Sequence, residues 1–357
     1  MAVYTQIDDP SAFFKCQLYS GNGGTQSITF NDTDTNMQPD LVWLKNRSIT
    51  IDHVLVDAVR GASKILNSND DSADDTVSGG VTAFDSDGFS VGSESVTNNS
   101  SENYVAWCWK AGTTSGITTN AATDITPSAY SFNTTSRISI AKYAGQTTAG
   151  QLAHGLGTTP TFHIIKKSSA IGNWQVYSKA VGNTATLALN QNYTTDANAY
   201  YYNNTDPDSV NITLGSGSSN TSVNTSGQTY ICYSFADVQG FSKVGGSYTG
   251  NGNSGTDGTF VYLGFRPAFV MVKRTDATND WKIIDNKRST YNPTAGTLKA
   301  NSSGAEDASE IYYDFCSQGF KIRLSAGALN ASGGTYIYMA FAEAPFVNSN
   351  GVPANAK

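Results

Sequence analysis

The chain reads as all-β, three tandem β-sandwich units of jelly-roll size, about 105 residues each. Three observations predict this. A proline-opened apolar run ending in lysine recurs at 39–45, 160–166 and 267–273, and eight residues beyond each lysine stands a ring: His53, Trp174 or Trp281. A Tyr-x-Gly step at Tyr19, Tyr143 and Tyr248 precedes each run, and an aromatic strand ends each unit at 104–109, 230–235 and 336–341. Charged residues are only 14% of the 357, so strong helix formers are scarce, and no segment carries a sustained 3.6-residue apolar stripe.

The boundaries follow from the repeat: unit one over 1–112, a Thr/Ser-rich linker over 113–136, unit two over 137–240, and unit three with a polar tail over 241–357. Proline is harmless as the first residue of a strand, where its missing N–H breaks no ladder. The ring after the lysine is expected to pack on that strand from its neighbour, and histidine at position 53 implies that the site need not be fully buried. A leucine strand follows near Leu66, Leu187 and Leu298. Next comes a hairpin with turns at 85–88, 205–208 and 316–319, whose outgoing strands alternate apolar residues (Phe89 and Val91; Ile212 and Leu214; Phe320 and Ile322).

In the closing strand one face is large: Val105, Trp107 and Trp109; Ile231, Tyr233 and Phe235; Ile337, Met339 and Phe341. Period-2 alternation assigns that face to the interior of each sandwich and leaves the smaller face lightly covered. The expected core is therefore Trp43, Trp107, Trp109, Trp174, Trp281, Phe235 and Phe341, distributed over three small interiors. Only 236–240 separate units two and three, so those two are expected to move as one body, with unit one set apart by its polar linker.

A net charge of −7 and a pI of about 4.9 argue against nucleic acid as a partner. No apolar run is long enough for membrane insertion, and the first residues lack a basic start followed by an apolar core. The four cysteines lack C-x-x-C spacing and read as reduced and buried, although Cys16 and Cys108 could bridge if first and last strands are neighbours.

Several motifs carry chemistry elsewhere. Residues 250–255, Gly-Asn-Gly-Asn-Ser-Gly, match a dinucleotide fingerprint, but a strand follows them, so they read as a turn. The acidic stretch 70–75, with Asp85 and Asp87 nearby, has the oxygen-rich character calcium prefers, yet lacks an EF-hand's ligand spacing; solvated loop acids are the plain reading. No other cofactor is implied. The three histidines and the acids form no recognisable catalytic set, so the chain reads as a non-enzyme. Asp57 with Arg60, repeated as Asp285 with Arg288, reads as a salt bridge bracing a loop, about 1 kcal/mol at most if exposed. Tyr201, Tyr202 and Asn203, matched by Tyr312 and Tyr313, offer rings and amides for stacking on sugars; they equally suit a strand entering its hairpin.

Four strings in unit one, Pro39-Asp-Leu-Val-Trp-Leu-Lys-Asn-Arg47, Asp57-Ala-Val-Arg-Gly61, Gly88-Phe-Ser-Val-Gly92 and Tyr104-Val-Ala-Trp-Cys-Trp-Lys-Ala-Gly112, resemble an uncharacterised domain family. That family is common in the virion-protein genes of marine tailed phages. The resemblance covers residues 10–112. It implies a bacteriophage structural protein on the particle surface, in a capsid decoration, fibre or tail appendage, made in the bacterial host cytoplasm. Its partners would be other virion proteins and copies of itself. A tail-fibre lectin for host-surface glycan is the alternative, and a polysaccharide depolymerase the third.

Overall fold

The computed structural model describes residues 4–30, 32, 35–198, 200–216 and 223–355. The chain is nearly all β; among the described residues the helices are one four-residue α-helix and two single turns of 3-10 helix. Each unit contains the same run of four antiparallel strands, in the order opening strand, closing strand, proline–lysine strand, ring strand; it is the whole sheet in unit one and part of a seven-stranded sheet in unit two and an eight-stranded sheet in unit three. In unit one these are Phe14–Ser20, Asn103–Trp109, Leu41–Asn46 and Val54–Asp57. In unit two they are Ile138–Ala144, Thr229–Phe235, Phe162–Lys167 and Gln175–Ser178. Unit three uses Ser242–Thr249, Thr335–Pro345, Phe265–Arg274 and Lys282–Asp285. The β-sandwich class is therefore correct.

A second, smaller layer covers one face of each sheet: Gln26–Thr29, Gly88–Val91 and Val81–Asp85 in unit one, and Gly150–Ala153 with Asn211–Leu214 in unit two. In unit three the layer, Phe260–Tyr262 with Gly319–Ile322, is joined to the main sheet through Thr294–Lys299 and Asp307–Cys316.

The assignment of the closing strand's faces is reversed. Its small face looks into the unit's own sandwich: Ala106 and Cys108 lie with Ile28, Phe89 and Val91, and Cys232 lies with Leu152 and Ile212. Ala340 lies with Val261, Phe320 and Ile322. Its large face meets the large faces of the other two units. Trp43, Trp107, Trp109, Trp174, Trp281, Phe235 and Phe341 all belong to one cluster drawn from the three repeats. These seven are core residues, but of a single shared centre. Both faces of each sheet are buried, and the larger rings go to the place where three sheets must be spanned rather than two.

The Tyr-x-Gly step has a local cause. Tyr19 stacks on Tyr104, Tyr143 on Tyr230 and Tyr248 on Tyr336, with centroids 4.9, 5.2 and 4.9 Å apart. The hydroxyl of each closing-strand tyrosine accepts the backbone N–H of Asn99, Thr225 or Ala331. That turn runs so close to the following glycine that a Cβ on Gly21, Gly145 or Gly250 would sit 2.1–2.3 Å from a carbonyl oxygen. Only glycine permits the approach. Residues 250–255 thus form a strand-to-strand loop, held by the buried side chain of Asn330 through Asn251 and Asn253.

The linker does not set unit one apart. Ala129–Asn133 joins the edge of unit two's sheet, and buried Asp40 of unit one accepts from Ser131 Oγ and Ala111 N–H at 3.0 and 2.9 Å. Cys16 and Cys108 lie on adjacent strands but one register step apart, Cys16 opposite Trp107 and Cys108 opposite Lys15. They therefore point to opposite faces, and both are free thiols.

Candidate functional site

The ring position of each repeat reaches out of its own unit. Trp174 Nε1–H donates to Asn67 O of unit one at 2.9 Å, and Trp281 Nε1–H donates to Ala188 O of unit two at 2.9 Å. His53 Nε2 bonds Lys299 O of unit three at 3.0 Å. The three acceptors each follow the repeated leucine, Leu66, Leu187 or Leu298. Unit two thus leans on one, three on two, and one on three, which closes the chain into a ring.

Backbone bonds repeat around that ring. Gly172, Asn279 and Ile51 N–H donate to the carbonyls of Asp71, Asn192 and Ser303, and Asp74, Thr195 and Glu306 N–H return to Ser168, Thr275 and Arg47. The lysine that ends each proline run lies in the same seam. Lys166 Nζ donates to Asp71 O at 3.0 Å and Lys273 Nζ to Asn192 O at 3.3 Å, both across the seam; Lys45 Nζ stays within unit one on Asn46 O at 2.6 Å. All three are fully buried, and burial pushes each ammonium down to about 8.

Histidine at position 53 is fully buried, contrary to the expectation of partial exposure. Trp43 Nε1–H donates to His53 Nδ1 at 2.9 Å, which leaves the imidazole proton on Nε2, aimed at Lys299 O. A neutral imidazole thereby supplies the donor that tryptophan supplies in the other units. Trp43, where units two and three have Ile164 and Met271, is both the tautomer lock and the extra bulk beside the smaller ring. Burial, then nearby Lys45, holds His53 well below the ordinary histidine range.

Asp57 with Arg60 and Asp285 with Arg288 are inter-unit joints rather than exposed loop braces. The pairs close at 2.6 and 2.5 Å, with side chains no more than 1% exposed. Tyr233 of unit two donates its hydroxyl to Asp57 Oδ2 at 2.7 Å, and Trp107 of unit one donates Nε1–H to Asp285 Oδ2 at 3.0 Å. Burial opposes the charge on Asp285, but Arg288 holds its carboxyl below the usual carboxylate range. Arg288 also lies over the Trp107 ring, 5.8 Å from its centroid. In unit two, Ser178 occupies the aspartate position, and the matching closing-strand residue of unit three is Met339; the acid and the closing-strand aromatic donor are absent together.

The tyrosines suggested for sugar stacking are mostly inside. Tyr201 and Tyr202 are 3% and 1% exposed; Tyr201 donates to Asp196 and Tyr202 shares a hydrogen bond with Thr186. Tyr313 is equally buried, packed edge-on to Phe320. Tyr312 is half-buried under Lys282, and Asn203 sits in a surface turn with φ of 51°. Tyr201 and Tyr202, adjacent in a turn, and Tyr313, in a strand, all pack into sandwich cores and offer no face to a ligand. Asp85 Oδ2 accepts from Ser90 Oγ and Asp87 Oδ1 from Met37 N–H, as turn acids do. The 70–75 stretch belongs to the seam through Asp70 O, Asp71 O and Asp74 N–H. Among the described residues no group of three or more His, Cys, Asp or Glu is assembled as for a metal ion. Nor is any helix there long and apolar enough to cross a membrane.

A family model described as a domain of unknown function (DUF7483) matches residues 9–345, all three units together. No curated protein and no solved structure matches the chain.

Proposed function

The chain belongs to that family, and we propose that it is a non-catalytic structural protein of a bacteriophage particle, displayed on the particle surface. One observation carries the reading. The residues that recur in all three units are spent on packing: the Tyr pairs and their glycines, the buried lysines, the ring donors and the leucines bind only other parts of the chain. A module copied for its packing hardware is a building block, and the closed ring presents its outer sandwich layers around one rigid centre. The phage setting comes from the unit-one strings, and with it partners among the other virion proteins, homo-oligomerisation, and assembly in the host cytoplasm. Reconstruction of purified particles tests this. Density of a three-unit ring on the particle exterior is expected; absence of the chain from purified particles, or its placement in a cellular complex, overturns it.

A further inference from the structure

The three repeats act as internal controls for one another, and one outer strand departs from its siblings. Phe260–Tyr262 lies at a sheet edge, with Val261 turned inward opposite Phe320, and Phe260 and Tyr262 facing out at 43% and 56% exposure. By register the same positions are the exposed Ser27 and Thr29 in unit one, and Gln151 and Ala153 in unit two, where Ala153 is covered by the linker. There the strand is tied to its neighbour by Ser27 with Ser90 and by Gln151 with Thr213. The hairpin therefore forms without aromatic residues, and the two exposed rings of unit three are not demanded by the fold.

Tyr262 lines a cavity of about 540 Å³ together with Tyr4, Asp237, Lys243 and Phe346. Tyr4 is 57% exposed. The walls are pinned by backbone bonds: Gln6 N–H to Gln239 O at 3.0 Å on one side, Phe346 N–H to Gly264 O at 3.2 Å on the other. Asp237 is oriented by Val244 N–H, which donates to its Oδ1 at 2.8 Å. We propose that this cleft binds a short neutral saccharide. Half-exposed tyrosine rings take the C–H face of a pyranose, while a carboxylate accepts from sugar hydroxyls and an ammonium donates to them. Acid and base balance, so the lining does not favour a charged sugar. The volume lies within the range of small-ligand sites, roughly 300–1,000 Å³.

The test uses the full chain with maltotriose, cellotriose, chitotriose and a β-galactobiose in titration calorimetry. At least one is expected to bind, and Tyr262→Thr, which installs the unit-one residue, to weaken it roughly tenfold or more. Tyr4→Ser should do the same, with the melting temperature of both variants unchanged. Failure of all four sugars to bind overturns the proposal, as does binding indifferent to both substitutions. Concentration-dependent doubling of mass that disappears with Tyr262→Thr also overturns it, by assigning the cleft to a second copy of the chain.

Discussion

The seam where unit two meets unit one and the seam where unit three meets unit two share a backbone plan and differ in what lies at their centre. In the first, Tyr233 donates to Asp57, itself paired with Arg60, all within the core. In the second, Met339 and Ser178 hold the corresponding positions, and the polar triad is missing as a set. Both seams keep the ring donor, through Trp174 and Trp281, and the pair of backbone bonds. A buried ion pair is therefore not what closes the ring. Its partners must instead come or go together, because any one left alone is a desolvated charge or an orphaned donor. The difference also acts as a key: Met339 set against Asp57 would give the carboxylate no aromatic donor, and Tyr233 set against Ser178 would lose the carboxylate it donates to.

Removing one member of the polar set should have the largest effect. Asp57→Ala leaves Arg60 buried without its carboxylate and should cost about 3–5 kcal/mol in denaturant unfolding. A loss below 1 kcal/mol would mean that the guanidinium escapes to water.

Acid should come next, acting through the buried histidines, His53 in unit one and His154 and His163 in unit two. His163 is fully buried, stacked on Tyr177 at 4.6 Å, with neither ring nitrogen hydrogen-bonded, where units one and three have Val42 and Val270. Burial, then His154, pushes it down to about 3; burial pushes His154 to about 4. Both folded values lie below the unfolded value near 6.5, so the unfolded chain binds these protons first. Stability is full above pH 6.5 and falls as pH drops toward 4, by a few kcal/mol. His163→Val, the residue of the sibling units, should flatten that slope; thermal melts between pH 7 and 4 that coincide for both proteins would contradict it.

Trp281→Phe removes the N–H that meets Ala188 O and shrinks a buried ring, and should cost about 1–3 kcal/mol. The smallest change is expected when the polar seam is rebuilt as its apolar sibling: Asp57→Ser, Arg60→Val and Tyr233→Met together should remain within about 1–2 kcal/mol of the parent. A triple variant as weak as Asp57→Ala would show that the set contributes more than mutual compensation.

The β class and the landmarks were legible because strand period, proline position and ring spacing survive in all three copies. What each landmark does was not. Alternation separates the faces of the closing strand by size, but says nothing of which one looks into its own sandwich when both are buried. Trp107 and Tyr233 therefore read as local core although they serve the shared centre. Position 53 read as partly exposed because imidazole is polar; only geometry shows an Nε2–H replacing an indole N–H, and Trp43 as its counterpart. The joint loss of Asp–Arg and closing-strand aromatic donor was present in the sequence, at Ser178 and Met339, and would have signalled contact between units. The tyrosines near 201 and 313 were indistinguishable from surface rings, since a strand entering a hairpin favours the same residues. The cleft beside Tyr262 was invisible because Tyr4, Asp237 and Phe346 meet only through the return of both chain ends.

That return has a topological consequence. Ser349 donates its N–H to Asp8 Oδ1 at 2.7 Å and its hydroxyl to Oδ2, so the first and last described stretches are clasped together. The polypeptide is a bracelet with a latch. Splicing the two ends across that latch and cutting instead near residue 120, in the exposed stretch after the first unit, should yield a permuted protein that folds to the same body.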